Sequence, residues 1–257
     1  MKKKILLGVV LVILTPVVCM GVALWLTLRG LAPVPEHGKA LVGDAQLIND
    51  GFAAIYLLPS SGGASLVDCG DDAKGAAILE ELKKRSLGPD DVKAIFLTHG
   101  HPDHIASCHL FTKAEVYAFA GDVDIAAGKA RSRGFLPRMF DTPEEKRIKV
   151  TQTLTDGQVV TVGDRQVLAF AVPGHTTGSA VFLSNGLLMM GDNAQVEVEG
   201  ALRPAMKLFS DDPELNAKSL QELAAKLKQR GDKVEMTAYG HSAPSEGMKA
   251  LEGFKPQ

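Results

Sequence analysis

Six consecutive positions of this chain hold four side chains able to bind a metal ion: His99, His101, Asp103 and His104 form H-x-H-x-D-H within THGHPDHIAS, Thr98 to Ser107. From the chain's own His and Asp frequencies, such a match is expected by chance about once in three thousand chains of this length. Neutral imidazoles and carboxylates are the donors that suit zinc, so the spacing points first to a metal site. The run Val92, Ala94, Ile95, Phe96 and Leu97 predicts a strand just before it, and Pro102 interrupts the backbone just after His101. The donors are therefore expected on a strand-to-helix corner, where sites gather.

Three more candidates follow predicted strands in the same way. His175 lies in PGHTTGS after a strand at 165–172, Asp192 in GD after one at 187–190, and His241 in YGH after one at 234–238. Strands of one sheet that end on the same side deliver their terminal residues to a common place, so the seven side chains are expected to converge. Three glycines, Gly174, Gly178 and Gly191, would permit close backbone approach there. His37, before the first strand, and His109, beyond the motif, read as surface residues.

The elements that must position these residues start with strands at 40–48, 52–58 and 64–68, separated by Asn49-Asp50-Gly51 and Ser60 to Gly63. A helix at 73–86, with Ile78, Leu79 and Leu82 on one face, is stopped by Gly88 and Pro89. A short helix from Asp103, a strand around Val116, and strands at 158–162, 165–172, 179–184 and 187–190 come next. Asp212 as N-cap and Pro213 at the first position open a helix that ends near Gly231. Strands interleaved with helices suggest an α/β domain of layered sheets with helices outside.

The chain has 257 residues, 46% hydrophobic and 23% charged, with a net charge of −2, which suits one globular domain and argues against a nucleic-acid partner. From Ile5 to Leu28 no residue is charged, and that many helical residues at ~1.5 Å each would cross a ~30 Å hydrocarbon core. Lys2, Lys3 and Lys4 precede the run and would hold the N-terminus inside. The expected organisation is a membrane anchor at 1–28, a Pro-containing linker at 29–39 and a catalytic domain at 40–257, exported to a bacterial periplasm or exterior. The competing reading is a signal peptide cut near Gly21-Val22-Ala23, giving a secreted protein. Cys69 and Cys108 are either two buried small hydrophobes or a disulfide. Between Lys129 and Lys149, seven Lys or Arg face three acids, an excess that reads either as a solvated surface or as a substrate-facing loop.

On V-D-x-G at Val67 to Gly70, H-x-H-x-D-H, His175, Asp192 and His241, the chain resembles the metallo-β-lactamase fold superfamily of metal-dependent hydrolases from about residue 41 onward. The resemblance implies a four-layer αββα sandwich, here preceded by one N-terminal transmembrane helix, with the site on one edge. It implies two Zn²⁺, with iron or manganese as alternatives: His99, His101 and His175 on one ion, Asp103, His104 and His241 on the other, and Asp192 bridging. Asp68 would orient the donors by hydrogen bonds. Two ions ~3.5–4 Å apart sharing a hydroxide suit attack on an ester, thioester, lactone or phosphoester, with Asp103 passing a proton to the leaving group.

Departures from subfamily patterns matter as well. Asp192 stands where β-lactamases of this fold usually carry Cys or Ser, and Gln195 stands where acyl-homoserine lactonases usually carry Tyr. Only sixteen residues follow His241, without the helical domain of glyoxalase II enzymes. Arg203 and Lys207, after Asp192, would reach an anionic part of a substrate. The expected partner is a small-molecule substrate, with membrane contact through the N-terminal helix and no protein partner. The alternatives are a mononuclear iron persulfide dioxygenase of the same fold and a metal-binding protein without turnover.

Overall fold

The computed structural model describes residues 2–255, with side chains from residue 15 onward. The chain divides into a unit Met1–Leu31, which holds helix α1 (Lys2–Leu28), and a unit Ala32–Gln257, which holds the remaining elements. Among the described residues no helix is long and apolar enough to cross a membrane. This corrects the expected transmembrane helix, and with it the membrane contact and the exported location. The first part of that segment, residues 5–14, lies outside the described side chains.

In the second unit, β1 (Lys39–Ala40), β2 (Gln46–Asp50), β3 (Ala53–Ser60), β4 (Gly63–Val67), β5 (Val92–Phe96), β6 (Glu115–Phe119) and β7 (Gln152–Leu154) form one sheet in that order. Pairing is antiparallel through β4 and parallel from β4 to β7. Helices α2 (Ala76–Lys84), α3 (Pro102–Ile105) and α4 (Ala120–Ala126) fall between these strands. A second sheet begins with β8 (Val159–Val162), β9 (Arg165–Ala171), β10 (Ala180–Ser184) and β11 (Leu187–Met189). The hairpin β12 (Ala194–Val196) and β13 (Leu202–Pro204) pairs by itself. After α5 (Pro213–Arg230), β14 (Met236–Ala238) and β15 (Ser245–Glu246) rejoin the second sheet, whose order is β15-β14-β11-β10-β9-β8, and α6 (Lys249–Glu252) follows.

Alternation along the strands decides the layering. In β3, Ala54, Tyr56 and Leu58 share a core with Val167, Phe182 and Met189 of the second sheet, while Ile55 and Leu57 point the other way onto Ile78 and Leu82 of α2. In β10, Phe182 faces the first sheet, and Val181 and Leu183 face Leu220, Leu223 and Leu227 of α5. Side chains two residues apart on a strand share a face, so the two sheets stack on each other and each carries helices on its outside. The αββα sandwich is therefore observed. Buried Arg165 pins it, donating to the Pro59 and Gly43 carbonyls at 2.7 Å each.

One local reading is corrected, and one helix goes unread. The expected strand 40–48 is broken by a 3-10 turn at Val42–Asp44, where Gly43 sits at φ 63° and has no room for a Cβ, which would stand 2.4 Å from the Asn185 carbonyl. Helix α4 had no apolar period to announce it. Asp212 caps α5 as expected, accepting from Leu215 N at 2.9 Å, and Gly231 ends the helix at φ 69°.

Cys69 and Cys108 form a disulfide with Cα atoms 5.4 Å apart. It joins the end of β4 to the turn after α3, alongside bonds from Cys69 N to the His104 carbonyl (2.7 Å) and from Ser107 Oγ to the Cys69 carbonyl (2.7 Å). Closing a loop of that length is worth about 3–4 kcal/mol by chain entropy. A reductant, or Cys108→Ala, should lower the melting temperature accordingly. An unchanged melt, with both thiols free in denatured, unreduced protein, would remove the bond.

Candidate metal centre

Four strand ends build the centre. β9 and β11 both run antiparallel to β10, and β14 runs parallel to β11, so these three strands point the same way and present His175, Asp192 and His241 at one edge of the second sheet. The fourth contribution, His99 to His104, follows β5 of the first sheet. The donors thus come from both sheets rather than one, because the sheets are stacked with their edges adjacent.

The structure brings all seven sequence-predicted donors together. Donor atoms fall within 4.8 Å of one another in three groups: His99, His101 and His175; His99, His104 and Asp192; and Asp103, His104 and His241. His175 Nε2 stands 3.1 Å from His101 Nδ1, and His241 Nε2 stands 3.4 Å from His104 Nε2 and 3.3 Å from Asp103 Oδ2. Asp192 lies between the sets, with Oδ2 3.2 Å from His241 Nε2 and 3.8 Å from His175 Nε2, and Oδ1 3.4 Å from His104 Nε2. Donors about 2.1 Å from a tetrahedral ion stand about 3.4 Å apart, so these spacings suit a metal. His37 and His109 are not part of the cluster.

Hydrogen bonds behind the cluster turn the imidazoles. Thr98 Oγ1 donates to Asp68 Oδ2 (2.6 Å), which leaves its oxygen to accept from His99 Nδ1 (3.1 Å). His104 Nδ1 donates to Asp68 Oδ2 (2.8 Å) and His241 Nδ1 to the Phe52 carbonyl (2.9 Å). Ser210 Oγ donates to the Met206 carbonyl and accepts from His175 Nδ1 (3.2 Å). With the outer nitrogen occupied in each ring, Nε2 of these four is left for the centre. Asp68 sits at φ 64°, a left-handed conformation that Asp tolerates better than most residues, and also accepts from Thr98 N at 2.7 Å.

Burial and charge split the histidines into two classes. His99, His101 and His175 are held below the usual imidazole value by burial, reinforced in His99 and His175 by the neighbouring rings, with His175 at about 3. His104 and His241 are also pushed down by burial, but carboxylates outweigh it. Asp192, Asp68 and Asp103 hold His104 well above its usual value, and Asp192 and Asp103 raise His241 to about 10. Burial favours the neutral form of Asp192 as well, yet His241 and His104 keep it well below the usual carboxylate range.

The residues fit a metal on a further observation. Among the described residues, buried His99 Nε2 and Asp192 Oδ1 have no hydrogen-bond partner, a costly arrangement unless something else accepts the lone pair. A Cβ at Gly240 would stand 2.1 Å from Asp192 Oδ1, so this position admits only glycine while the carboxylate stays put. Sequence reading missed Gly240 and Asp122, whose buried carboxylate reaches the backbone of both histidine segments. Neither carries a spacing signal. Arg203 and Glu197 form an ion pair across the β12–β13 hairpin, which places the guanidinium on that carboxylate instead of at an open anion site. In the basic stretch, Arg131 pairs with Asp141 (2.6 Å) and Lys146 with Asp71 (2.5 Å).

These shifts set the pH response of the metal-free protein. Depressed His99, His101 and His175 let the unfolded chain take up protons that the fold refuses, so stability drops as pH falls below about 6.5. Asp192 adds to this loss at lower pH. Raised His104 and His241 contribute fully below about 6.5, and their share is lost as pH rises, through about 10 for His241. EDTA-treated protein is therefore expected to melt highest at about pH 6–7. A melting temperature that climbs steadily from pH 6 to 9 would refute the two-class assignment.

Residues 48–241 match the family model of the metallo-beta-lactamase superfamily. An uncharacterized Bacillus subtilis protein, YobT, is 28% identical over 76% of this chain and 86% of its own length. The hydroxyacylglutathione hydrolases of an Enterobacter species and of Tolumonas auensis are 29% and 30% identical over 60% and 66% of this chain. The matches cover about half the length of those two enzymes, 51% and 56%. Among solved structures, a B3 metallo-beta-lactamase with an active-site glutamic acid aligns at TM-score 0.62 with 20% identity over 87% of this chain and 86% of that one. The metallo-beta-lactamase SMB-1 aligns at 0.61 with 24% identity over 81% of each chain, and both likenesses speak to the fold. The matched family model, together with the converging histidines and aspartates it spans, makes this chain a member of the metallo-beta-lactamase superfamily of metal-dependent hydrolases.

Proposed function

We propose that the chain is a dinuclear zinc hydrolase of small esters, thioesters, lactones or phosphoesters, with thioesters and activated esters favoured. The observation that carries the reading is the convergence of seven side chains able to bind a metal, with His99 Nε2 and Asp192 Oδ1 buried among them and unpartnered among the described residues. His99, His101 and His175 would hold one ion, Asp103, His104 and His241 the other, and Asp192 would touch both. Zinc at such a site supplies Lewis acidity and lowers the pKa of water enough to make a nucleophile near neutral pH.

The chain's own groups then divide the work. In the metal-free protein, burial favours the neutral, ligating form of His99, His101 and His175, whereas the carboxylates beside His104 and His241 favour their protonated form, so ligation there would displace a proton. Asp103 is the most exposed donor, its side chain 28% accessible against 12% for Asp192. Its carboxylate would be the group that takes the proton of the attacking water and hands it to the departing thiol or alcohol. A C–O bond forms to the acyl carbon, the C–S or C–O bond breaks, and the proton ends on the leaving group. His99, His101, His104 and His175 are buried and Asp192 is largely so, and electrostatic stabilisation of an oxyanion is strongest at a site from which water is excluded.

Thioesters are favoured because the hydroxyacylglutathione hydrolases share this stretch of sequence, and β-lactams are disfavoured because Asp192 stands where that activity usually has Cys or Ser. Purified protein should take up close to two zinc equivalents, with protons released on loading. His101→Ala should lose metal and lower kcat/KM by about a thousandfold, equivalent to about 4 kcal/mol. Asp192→Ala should lower occupancy of both ions. One tightly held iron, indifferent to His241→Ala, would support the persulfide dioxygenase instead. Efficient penicillin hydrolysis without ester or thioester hydrolysis would overturn the substrate class.

A further inference from the structure

Asp122 belongs to none of the donor groups, yet its buried carboxylate touches both histidine segments. It lies in the first turn of α4. Oδ2 accepts from Gly100 N at 2.6 Å and from Thr176 Oγ1 at 2.9 Å, and Oδ1 accepts from Gly178 N at 2.9 Å. Gly100 separates His99 from His101, and Thr176 directly follows His175. One side chain on a third element thus binds the backbone between two donors and the loop of the third.

The surrounding geometry allows little else at this position. A Cβ on Gly121 would stand 2.6 Å from Gly178 N, and one on Gly178 would stand 2.4 Å from Asp122 N, so α4 presses backbone to backbone on the His175 loop. Thr176 is fixed further by Ser179, whose hydroxyl accepts from Thr176 N at 2.8 Å and lies 2.7 Å from Thr176 Oγ1. The two rings carried by the joined segments, His101 and His175, stand 3.1 Å apart at their nitrogens. Asp68 braces His104 directly and His99 through Thr98 but makes no such bridge to His175.

We propose that Asp122 is a positioning residue for the three-histidine half of the centre: it bolts the H-x-H corner to the His175 loop and so fixes the separation of His99 and His101 from His175. The proposal rests on the reading of the cluster as a metal centre. Asp122 contacts no donor itself and acts through the backbone it holds, as outer partners of ligands do elsewhere.

The test is metal binding. Asp122→Asn keeps the volume but sets an amide N–H against a backbone or hydroxyl donor whichever way the amide turns. Thr176→Val removes one donor and leaves the rest of the brace. Zinc affinity by chelator competition, and the visible spectrum of cobalt-substituted protein, are measured at a temperature where circular dichroism shows each variant folded. Asp122→Asn should weaken one of the two binding steps by about 10–100-fold and alter the cobalt spectrum, with Thr176→Val moving the same step less. Should Asp122→Asn fail to fold, Thr176→Val decides. A variant that melts lower yet binds cobalt with wild-type affinity and spectrum overturns the proposal and leaves Asp122 a purely structural brace. Wild-type protein that binds neither metal would defeat the metal reading itself, which separates the two failures.

Discussion

Withdrawing five imidazoles and two carboxylates from water into one small volume is the constraint on which the rest of this structure depends. Buried polar atoms without partners are costly, and here several face inward unpaired. The protein tolerates this because nearly every outward-facing atom is satisfied: Asp68, Ser210 and the Phe52 carbonyl occupy the outer imidazole nitrogens or the hydroxyl that holds them. The carboxylates beside His104 and His241 balance charge where neutral rings alone would not.

That arrangement needs rigid supports on two sheets at once. Stacked strands supply them, since the interlayer core of Tyr56, Phe96, Phe182 and Met189 holds the end of β5 against the ends of β9, β11 and β14. Loops then fasten to one another locally. The Cys69–Cys108 disulfide and the Ser107 hydroxyl hold the H-x-H-x-D-H corner to β4, and Asp122 holds it to the His175 loop. Close glycine contacts at Gly121, Gly178 and Gly240 show how little space remains once the segments are in place.

Charged groups outside the centre illustrate how pairing changes a residue's meaning. Arg203 looked available for an anionic substrate, but its hairpin places it on Glu197. Three of the seven basic residues from 129 to 149, Arg131, Arg133 and Lys146, pair similarly with Asp141, Asp211 and Asp71. A local excess of charge in a sequence therefore says little about a binding surface, because partners distant in the chain decide what stays open.

The sequence by itself determined which seven metal-capable side chains to look for, and most strands. Imidazole and carboxylate chemistry sits in residue types, the H-x-H-x-D-H spacing needs no tertiary information, and alternation and capping are local, as at β3 and at Asp212 of α5. It also read an apolar N-terminus as a membrane span, a conclusion the described helix does not support. Only the tertiary structure decided that the converging residues come from both sheets, that Cys69 and Cys108 are bonded, and that Asp122 and Gly240 lie against the segments that carry them. Each of these depends on which distant segments touch, and a single Asp or Gly has no period or spacing by which to announce a contact made across the fold.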